Sequence, residues 1–185
     1  MQCVAFEIDG TTYAIPTDGI EEVAPMVKAR PLPDAPDWVR GVIDHRGRLV
    51  PMLDMRRLIG GESLTIVAGT RILIADVRLG RRSTTGTPAP DADDRRRIAL
   101  AVGCVHEVIE IDADAAAGFD GLPGGSMPYL GRLVPMAEAD ATPETGTGVG
   151  NGDRGRRVVR LVDPDLLLAP EHRDVLFGTL VDETS

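Results

Sequence analysis

Residues 38–54 place two apolar runs on either side of a tight turn, and this pattern constrains the fold more than any other in the chain. The first run includes Val42-Ile43, the turn is His45-Arg46-Gly47, and the second run begins with Leu49-Val50. β-Branched and aliphatic residues around a glycine-containing turn are typical of a β-hairpin. Gly47 tolerates the positive φ that such turns need. The pattern predicts a stiff hairpin with a guanidinium at its tip.

Short apolar runs separated by turn signals recur along the rest of the chain. Residues 4–8 alternate apolar and polar side chains, as in a half-buried strand, and Asp9-Gly10 is a strong hairpin signal. Asp54 and Asp163 each precede a short predicted helix as capping residues, and Pro164 suits a first helical position. Further strands are predicted at residues 12–15, 20–23, 71–75, 98–102, 105–111, 129–134 and 158–162.

The predicted strands form two series, residues 4–60 and 71–168, that echo each other. Residues 13–23 align without a gap with residues 98–108, which pairs Glu22 with Glu107 and Val23 with Val108. Residues 41–54 align with residues 131–163 if the second series carries an expanded turn. The identical hexapeptides 47–52 and 131–136 fall out of register in this alignment, and we interpret their identity as coincidence.

About five short strands in each series favour a small closed barrel over an open sheet. We therefore expect an all-β chain of two five-stranded lobes with short helical turns, forming one domain over residues 1–178. Two polar segments, residues 78–97 and 138–157, lack any apolar period and are predicted to be flexible insert loops. Limited proteolysis should cut first within residues 80–96 and 140–156.

The composition excludes several classes of partner and location. A net charge of −9 argues against binding to nucleic acid or to anionic membranes. No apolar run approaches the roughly 18 residues that span a bilayer, and no basic region precedes the first strand. We therefore expect a cytoplasmic protein without direct membrane insertion. Cys3 and Cys104 have no metal or redox spacing and are expected to be reduced thiols.

Motifs for catalysis or cofactor binding are weak. His45, His106 and His172 are scattered, and no His-x-x-x-His or Cys-x-x-Cys spacing occurs, so no metal site is expected. Ser126 does not lie in a nucleophile elbow. The glycine-rich residues 146–152 lack the Gly-Lys-Ser/Thr of a phosphate-binding loop. The sequence therefore indicates a non-enzymatic protein without a cofactor.

The ordered set of motifs resembles CheW-like domains, the coupling proteins of bacterial chemosensory arrays. The hairpin motifs Gly41-Val42-Ile43, Arg46-Gly47, Leu49-Val50-Pro51 and Leu53-Asp54 are similar to the signature hairpin of that family. Weaker likenesses at residues 6–16, 20–23 and 33–36 extend the resemblance, which covers most of residues 4–168. The resemblance implies two SH3-like barrels packed against each other.

The resemblance also implies four receptor-binding residues. Glu22 and Arg46 match family positions that pair with each other on the surface that meets the hairpin tip of a chemoreceptor. Ile20 and Gly41 match further positions implicated in that coupling. Two plainer explanations stay open: Glu22–Arg46 as a surface ion pair only, and Gly41 as a requirement of backbone packing.

The implied function is a non-enzymatic scaffold that couples a methyl-accepting chemoreceptor to a CheA-type histidine kinase, whose regulatory domain is the second partner. Such a protein would associate with membrane receptor arrays through its partners. One alternative is a CheW-like structural array element that does not bind the receptor directly. Another is a small-ligand-binding β-barrel sensor or enzyme. Pro128-Tyr129-Leu130-Gly131, with the central turn, looks closer to couplers of surface-sensing (Wsp-type) pathways than to those of flagellar chemotaxis.

Overall fold

The structure is a computed structural model that describes residues 1–78, 95–112, 127, 129–135, 158–168, 172 and 174–178. Its helical structure within these ranges comprises α1 (Met55–Leu58), two 3-10 turns (Thr17–Gly19 and Pro164–Leu166), a π-helical turn (Asp174–Gly178) and the helical residue His172. None of the helices in these ranges is long and apolar enough to cross a membrane. The strands are β1 (Gln2–Ile8), β2 (Thr11–Pro16), β3 (Ile20–Pro25), β4 (Val39–His45), β5 (Arg48–Asp54), β6 (Thr70–Arg78), β7 (Arg95–Glu110), β8 (Leu130–Pro135) and β9 (Val158–Val162).

Two hairpin turns take the backbone conformation that their sequences predict. Asp9 and Gly10 join β1 to β2 with φ values of 50° and 74°, and Arg46 and Gly47 join β4 to β5 with φ values of 54° and 76°. Two consecutive positive φ values are typical of a type I′ turn, whose twist matches that of the flanking strands. Both turns therefore fix the register of their hairpins.

The predicted capping aspartates are confirmed. The Asp54 carboxylate accepts hydrogen bonds from the backbone N–H groups of Arg56 and Arg57 at the start of α1, at 3.1 and 3.2 Å. Asp163 accepts from the backbone N–H of Asp165, at 3.0 Å, with Pro164 at the first helical position. Each cap satisfies donors that a helix start would otherwise leave without a partner.

Asp54 also holds a buried charge inside the fold. Its side chain is almost fully buried, and its Oδ2 atom accepts from Arg40 Nη1 at 2.6 Å. The Ser63 hydroxyl and the Leu64 backbone N–H donate to the same oxygen, at 3.0 and 2.9 Å. A buried carboxylate is stable when it is both ion-paired and hydrogen-bonded. This residue thus ties β4, α1 and the following loop together, as a structural residue.

The strands pair into two groups of five. Lobe A, defined here as β3, β4, β5, β6 and the first half of β7, has the order β3-β6-β7-β5-β4, with β5 parallel to β7. Lobe B, defined as β1, β2, β8, β9 and the second half of β7, has the order β7-β1-β2-β9-β8, with β9 parallel to β2. In lobe A an isolated bridge between Arg30 and Val42 brings the segment after β3 back to β4, which closes that group.

The two lobes share their register as well as their strand order. Met52 lies opposite Ala99 in lobe A, and Leu161 lies opposite Ala14 in lobe B. The sequence alignment had matched these same residues, Met52 with Leu161 and Ala99 with Ala14. The two identical hexapeptides, by contrast, lie largely on β5 and β8, which occupy different places in their lobes. The predicted duplication is confirmed, and the hexapeptide identity is unrelated to it.

The predicted division of the chain into lobes at residues 4–60 and 71–168 differs from the observed pairing. Strand β1 pairs with β7, and β2 pairs with β9, so the first hairpin of the chain belongs with the last strands. The strands predicted separately at residues 98–102 and 105–111 are one strand of 16 residues, β7. Alternation of side chains shows that a strand exists but carries no information about its partner.

The two predicted insert loops fall mainly outside the described residues. Only the ends of the first loop are described: Arg78 lies on β6 and pairs with Arg95 on β7, so this hairpin extends further than the sequence indicated. The outer boundary of the domain, residues 1–178, stays a prediction.

Three apolar clusters hold the sheet together. One fills the interior of lobe A, a second fills the interior of lobe B, and the largest lies between them. The cluster between the lobes, the junction cluster, is made by residues of both lobes, with Phe6, Ile15, Leu53, Leu73 and Leu100 among its fully buried members. The lobes are therefore packed on each other through a core of their own.

Candidate functional site

The tip of the β4–β5 hairpin lies against the edge strand β3. Arg46 donates from Nη2 to Glu22 Oε2 at 2.7 Å and from Nη1 to Glu21 Oε1 at 3.1 Å. The Arg46 side chain is nevertheless 65% exposed. The hairpin therefore presents a guanidinium to solvent while two carboxylates hold it from below.

These contacts continue inward from the tip. Arg97 Nη2 lies 2.7 Å from Glu21 Oε2 as an ion pair, and Arg97 Nε lies 3.5 Å from Asp76 Oδ1. Asp76, Arg97, Glu21, Arg46 and Glu22 thus form a row of alternating charge, here called the ion-pair row. Three carboxylates and two guanidinium groups give the row a formal charge of −1.

A bulge in β3 explains why two consecutive glutamates reach the same arginine. Ile20 lies opposite Ala75 while Glu22 lies opposite Ile74, so β3 contains one residue more than β6 at this point. Successive side chains on a regular strand point to opposite faces, and a bulge changes that direction locally. The extra residue is what allows Glu21 to join Glu22 on the Arg46 side.

His45 lies beside the row without joining it. Its Nε2 atom is 3.8 Å from Glu22 Oε2, and it is buried without a hydrogen-bond partner. This distance is too long for a hydrogen bond. His45 therefore packs below the tip and leaves Glu22 to Arg46.

The other two predicted receptor-binding residues lie elsewhere. Ile20 begins β3, is half-buried and packs against the junction cluster. Gly41 lies on β4, buried, five residues and about 16 Å along the strand from Arg46. A Cβ at Gly41 would lie 2.0 Å from the carbonyl oxygen of Arg30, and its φ is 128°. The close approach of the Arg30 backbone explains this glycine without any partner.

The energetics favour the row over the pair alone. An exposed ion pair contributes about 0.2–1 kcal/mol after the entropy of ordering its side chains is included. The Glu22 contact alone would therefore hold Arg46 only weakly. With two carboxylates, one of them also paired with Arg97, the entropy cost of ordering Arg46 is shared between two contacts.

Glu21, Arg97 and Asp76 were missed at the level of the sequence. Strict alternation assigns Glu21 to the face opposite Glu22, and Arg97 stood at the end of a predicted loop. No local sequence pattern predicts the bulge in β3. The row depends on the pairing of β3 with β6 and of β6 with β7, which only the folded chain reveals.

A small ligand would find space at the junction of the lobes. Among the described residues, the interiors of lobe A and lobe B leave no comparable space. Both interiors are filled by apolar side chains. A cleft of about 330 Å³ between the lobes is lined by charged residues that include Asp18, Asp76, Arg78, Arg95, Asp163 and Asp165. Within the described part of the chain, no three His, Cys, Asp or Glu side chains are grouped so that they could hold a metal ion.

Comparison with known proteins gives consistent matches. A family model for the CheW-like domain matches residues 2–172. The chain is 22% identical over 148 residues to the chemotaxis protein CheW of Rhizobium meliloti (strain 1021), covering 76% of this chain and 85% of that protein. It is 29% identical over 73 residues to protein PilI of Pseudomonas aeruginosa, covering 40% of this chain and 41% of that protein.

A solved structure agrees with the fold. The scaffolding protein TtCheW from Thermoanaerobacter tengcongensis matches with a TM-score of 0.65 at 17% identity, covering 92% of this chain and 89% of that one. This likeness confirms the predicted all-β fold of two SH3-like lobes.

Proposed function

Since the chain belongs to the CheW-like domain family, a family of scaffold proteins in chemotaxis-type signalling, we propose that it couples a methyl-accepting chemoreceptor to a CheA-type histidine kinase. The observation that carries the proposal is the exposed Arg46 guanidinium, held at a rigid hairpin tip by Glu22. The proposed role of the protein is to hold its partners in a fixed geometry, without catalysing a reaction.

The receptor contact is assigned to the outer end of the ion-pair row. A preorganised guanidinium with two neighbouring carboxylates offers both donors and acceptors to a polar helical tip, at little further cost in side-chain entropy. Glu22 and Arg46 are the proposed contact residues. Ile20 contributes by placing β3 against the junction cluster, and Gly41 by letting the Arg30 backbone close lobe A.

The kinase contact is assigned to apolar positions on the edge strands. Val23 on β3 and Val108 on β7 are 43% and 59% exposed, and their strand registers are equivalent in the two lobes. Each valine follows the bulged part of its strand, at the edge of its lobe. Single exposed apolar side chains are common on protein surfaces, so the assignment of end-to-end docking against the regulatory domain of the kinase rests on the equivalent places of the two valines at the edges of the lobes.

A structural array element that does not bind a receptor is the second candidate. The exposed Val23 and Val108 would serve it equally, because they face outward from both lobes. The two candidate functions differ in whether Arg46 contacts a receptor. Arg46 has no part in the proposed docking of this protein against other array components. The Wsp-type pathway stays a prediction.

Binding of the unmodified protein to the receptor tip separates the candidates, and Arg46→Glu tests the residue to which that binding is assigned. The change removes the donor at the tip and places a third carboxylate beside Glu21 and Glu22, so affinity for the receptor tip should fall about thirtyfold or more. Binding to the kinase regulatory domain should persist, and stability should fall by about 1 kcal/mol, because two exposed ion pairs are lost. Titration calorimetry with each partner and a melting curve measure these three quantities.

The matched control is Arg57→Glu on α1, which makes the same charge change at an exposed position away from the row. It should bind both partners as the unmodified protein does. Unchanged receptor affinity in a folded Arg46→Glu variant would leave Arg46 as a turn residue and would place the receptor contact elsewhere. No binding of the unmodified protein to the receptor tip would favour the structural array element.

A further inference from the structure

We propose that Glu21 and Arg97 are positioning residues of the receptor site, with Glu21 holding Arg46 and Arg97 holding Glu21. The inference rests on the proposed function of Arg46, which it deepens by naming what sets the direction of the guanidinium. Neither residue needs to touch the partner.

The two ends of the Arg46 guanidinium are fixed separately. Nη2 donates to Glu22 and Nη1 donates to Glu21, so the plane of the group is set by two carboxylates on one strand. A single contact would leave the group free to turn about its bond to the stem. The direction in which Arg46 faces a partner therefore depends on Glu21 as much as on Glu22.

Glu21 is itself held from the inner side. Its two oxygens face two different arginines: Oε1 accepts a hydrogen bond from Arg46, and Oε2 forms an ion pair with Arg97 at 2.7 Å. The side chain is 25% exposed, less than that of Glu22 at 37%. Without Arg97, one guanidinium would remain for Glu21 and Glu22 together, and Asp76 would lose its cation. Glu21 would then keep only its contact with the exposed Arg46.

Arg97 is well placed to act as the fixed end of the row. It lies on β7 and is paired in register with Asp76 on β6, and its side chain is 23% exposed. Strand β7 continues from lobe A into lobe B. The direction of Arg46 is thus tied to the strand that both lobes share, rather than to the hairpin alone.

The test separates positioning from binding. Glu21→Gln, Arg97→Gln and the double variant are prepared with Arg97→Lys and a control, Arg56→Gln. Arg56 is 24% exposed and pairs with Asp9 at 2.7 Å, so its loss removes a comparable ion pair away from the row. Arginine side-chain NMR on the free protein measures the rotation of the Arg46 guanidinium. Titration calorimetry measures affinity for the receptor tip.

Arg46 should rotate several-fold faster in Glu21→Gln and in Arg97→Gln, and at its original rate in Arg56→Gln. Affinity for the receptor tip should fall about three- to tenfold in each row variant. The double variant should lose no more affinity for the receptor tip than Glu21→Gln alone, because Arg97 acts through Glu21. Arg97→Lys keeps the charge that Glu21 needs and should restore most of the loss.

Unchanged rotation of Arg46 in Arg97→Gln would overturn the inference, as would losses that simply add in the double variant. Failure of the unmodified protein to bind the receptor tip would refute the proposed function instead. In that case the rotation measurement alone would still decide whether Glu21 and Arg97 position Arg46.

Discussion

Arg46 adopts a left-handed backbone conformation, with a φ of 54°, that side chains with a Cβ seldom take. Such a conformation costs about 1–2 kcal/mol for residues other than glycine. Asp9 occupies the same place in the β1–β2 turn, but its short polar side chain suits this conformation better. A long cationic side chain at a position that favours Gly, Asn or Asp supports a role for the guanidinium beyond the turn itself.

Gly41→Ala should destabilise the fold by about 3 kcal/mol or more, because the new Cβ would meet the Arg30 carbonyl oxygen at 2.0 Å in a left-handed conformation. Gly10→Ala is the matched control, since Gly10 also has a positive φ, 74°, but no atom within 4 Å of the added Cβ. It should cost only about 1 kcal/mol. Urea denaturation measures both. Equal costs would show that the Arg30 approach is not what requires Gly41.

The two cysteines should differ in reactivity. Burial raises the pKa of the Cys3 thiol from 9.0 to about 11, whereas Cys104 is exposed. A thiol-specific reagent at pH 8 should therefore label one cysteine in the native protein and two in denaturant. The unfolded chain loses the Cys3 proton near pH 9 and the folded chain does not, so stability should fall between about pH 9 and 11. Rapid labelling of both thiols in the native state would contradict this.

At the scale of elements, β7 decides how the chain is organised. Its first half pairs with β5 and β6, and its second half pairs with β1. The passage between the lobes occurs at Gly103, where the Glu7 carbonyl oxygen would lie 1.9 Å from an added Cβ. The glycine at this point of the 16-residue strand lets the Glu7 backbone approach closely where β7 passes from one lobe to the other.

Gly103→Ala should therefore loosen the β1–β7 pairing. The clash is with backbone, which cannot move aside as a side chain can, so we expect a loss of about 2–4 kcal/mol in unfolding free energy. Amide hydrogen exchange should show the largest increase along β1 and the second half of β7. Gly69→Ala is the control, because its added Cβ meets the movable Cys104 side chain instead. Equal losses in the two variants would be evidence against a backbone clash at Gly103.

At the scale of the whole molecule, the junction cluster makes the two lobes one unit. Its members come from β1, β2, β5, β6 and β7, so neither lobe buries this surface alone. Apolar burial stabilises by about 25 cal/mol for each Å² removed from water, which makes separation of the lobes costly. The lobes should therefore unfold together.

Leu100→Ala tests this, because Leu100 is fully buried in the junction cluster between Leu53 and Leu73. The loss should be about 2–5 kcal/mol, with a single transition. Fluorescence of Trp38, the one tryptophan in the chain, and far-ultraviolet circular dichroism should give the same urea midpoint. Two separate midpoints in the unmodified protein would show that the lobes are independent.

Local chemistry in the sequence determined the strands, the turns and the caps. Apolar runs and turn signals located the nine strands of the described residues, although they divided β7 in two, and Asp9-Gly10 and Arg46-Gly47 take the φ values that their turns require. The duplication was also predicted from the sequence, and Ala14 and Ala99 have equivalent strand partners, Leu161 and Met52. These features depend on residues close to one another in the chain, so their signals are local.

Pairing between distant strands was decided only by the tertiary structure. The sequence placed the β1–β2 hairpin with its own series, whereas burial against β7 and β9 joins it to lobe B. The same distinction holds for the candidate site, of which one part was predicted and the other was not. The Glu22–Arg46 pair was predicted, but Glu21 and Arg97 joined it through a bulge and a cross-strand contact. Such contacts depend on which surfaces are buried together, and that is a property of the whole chain.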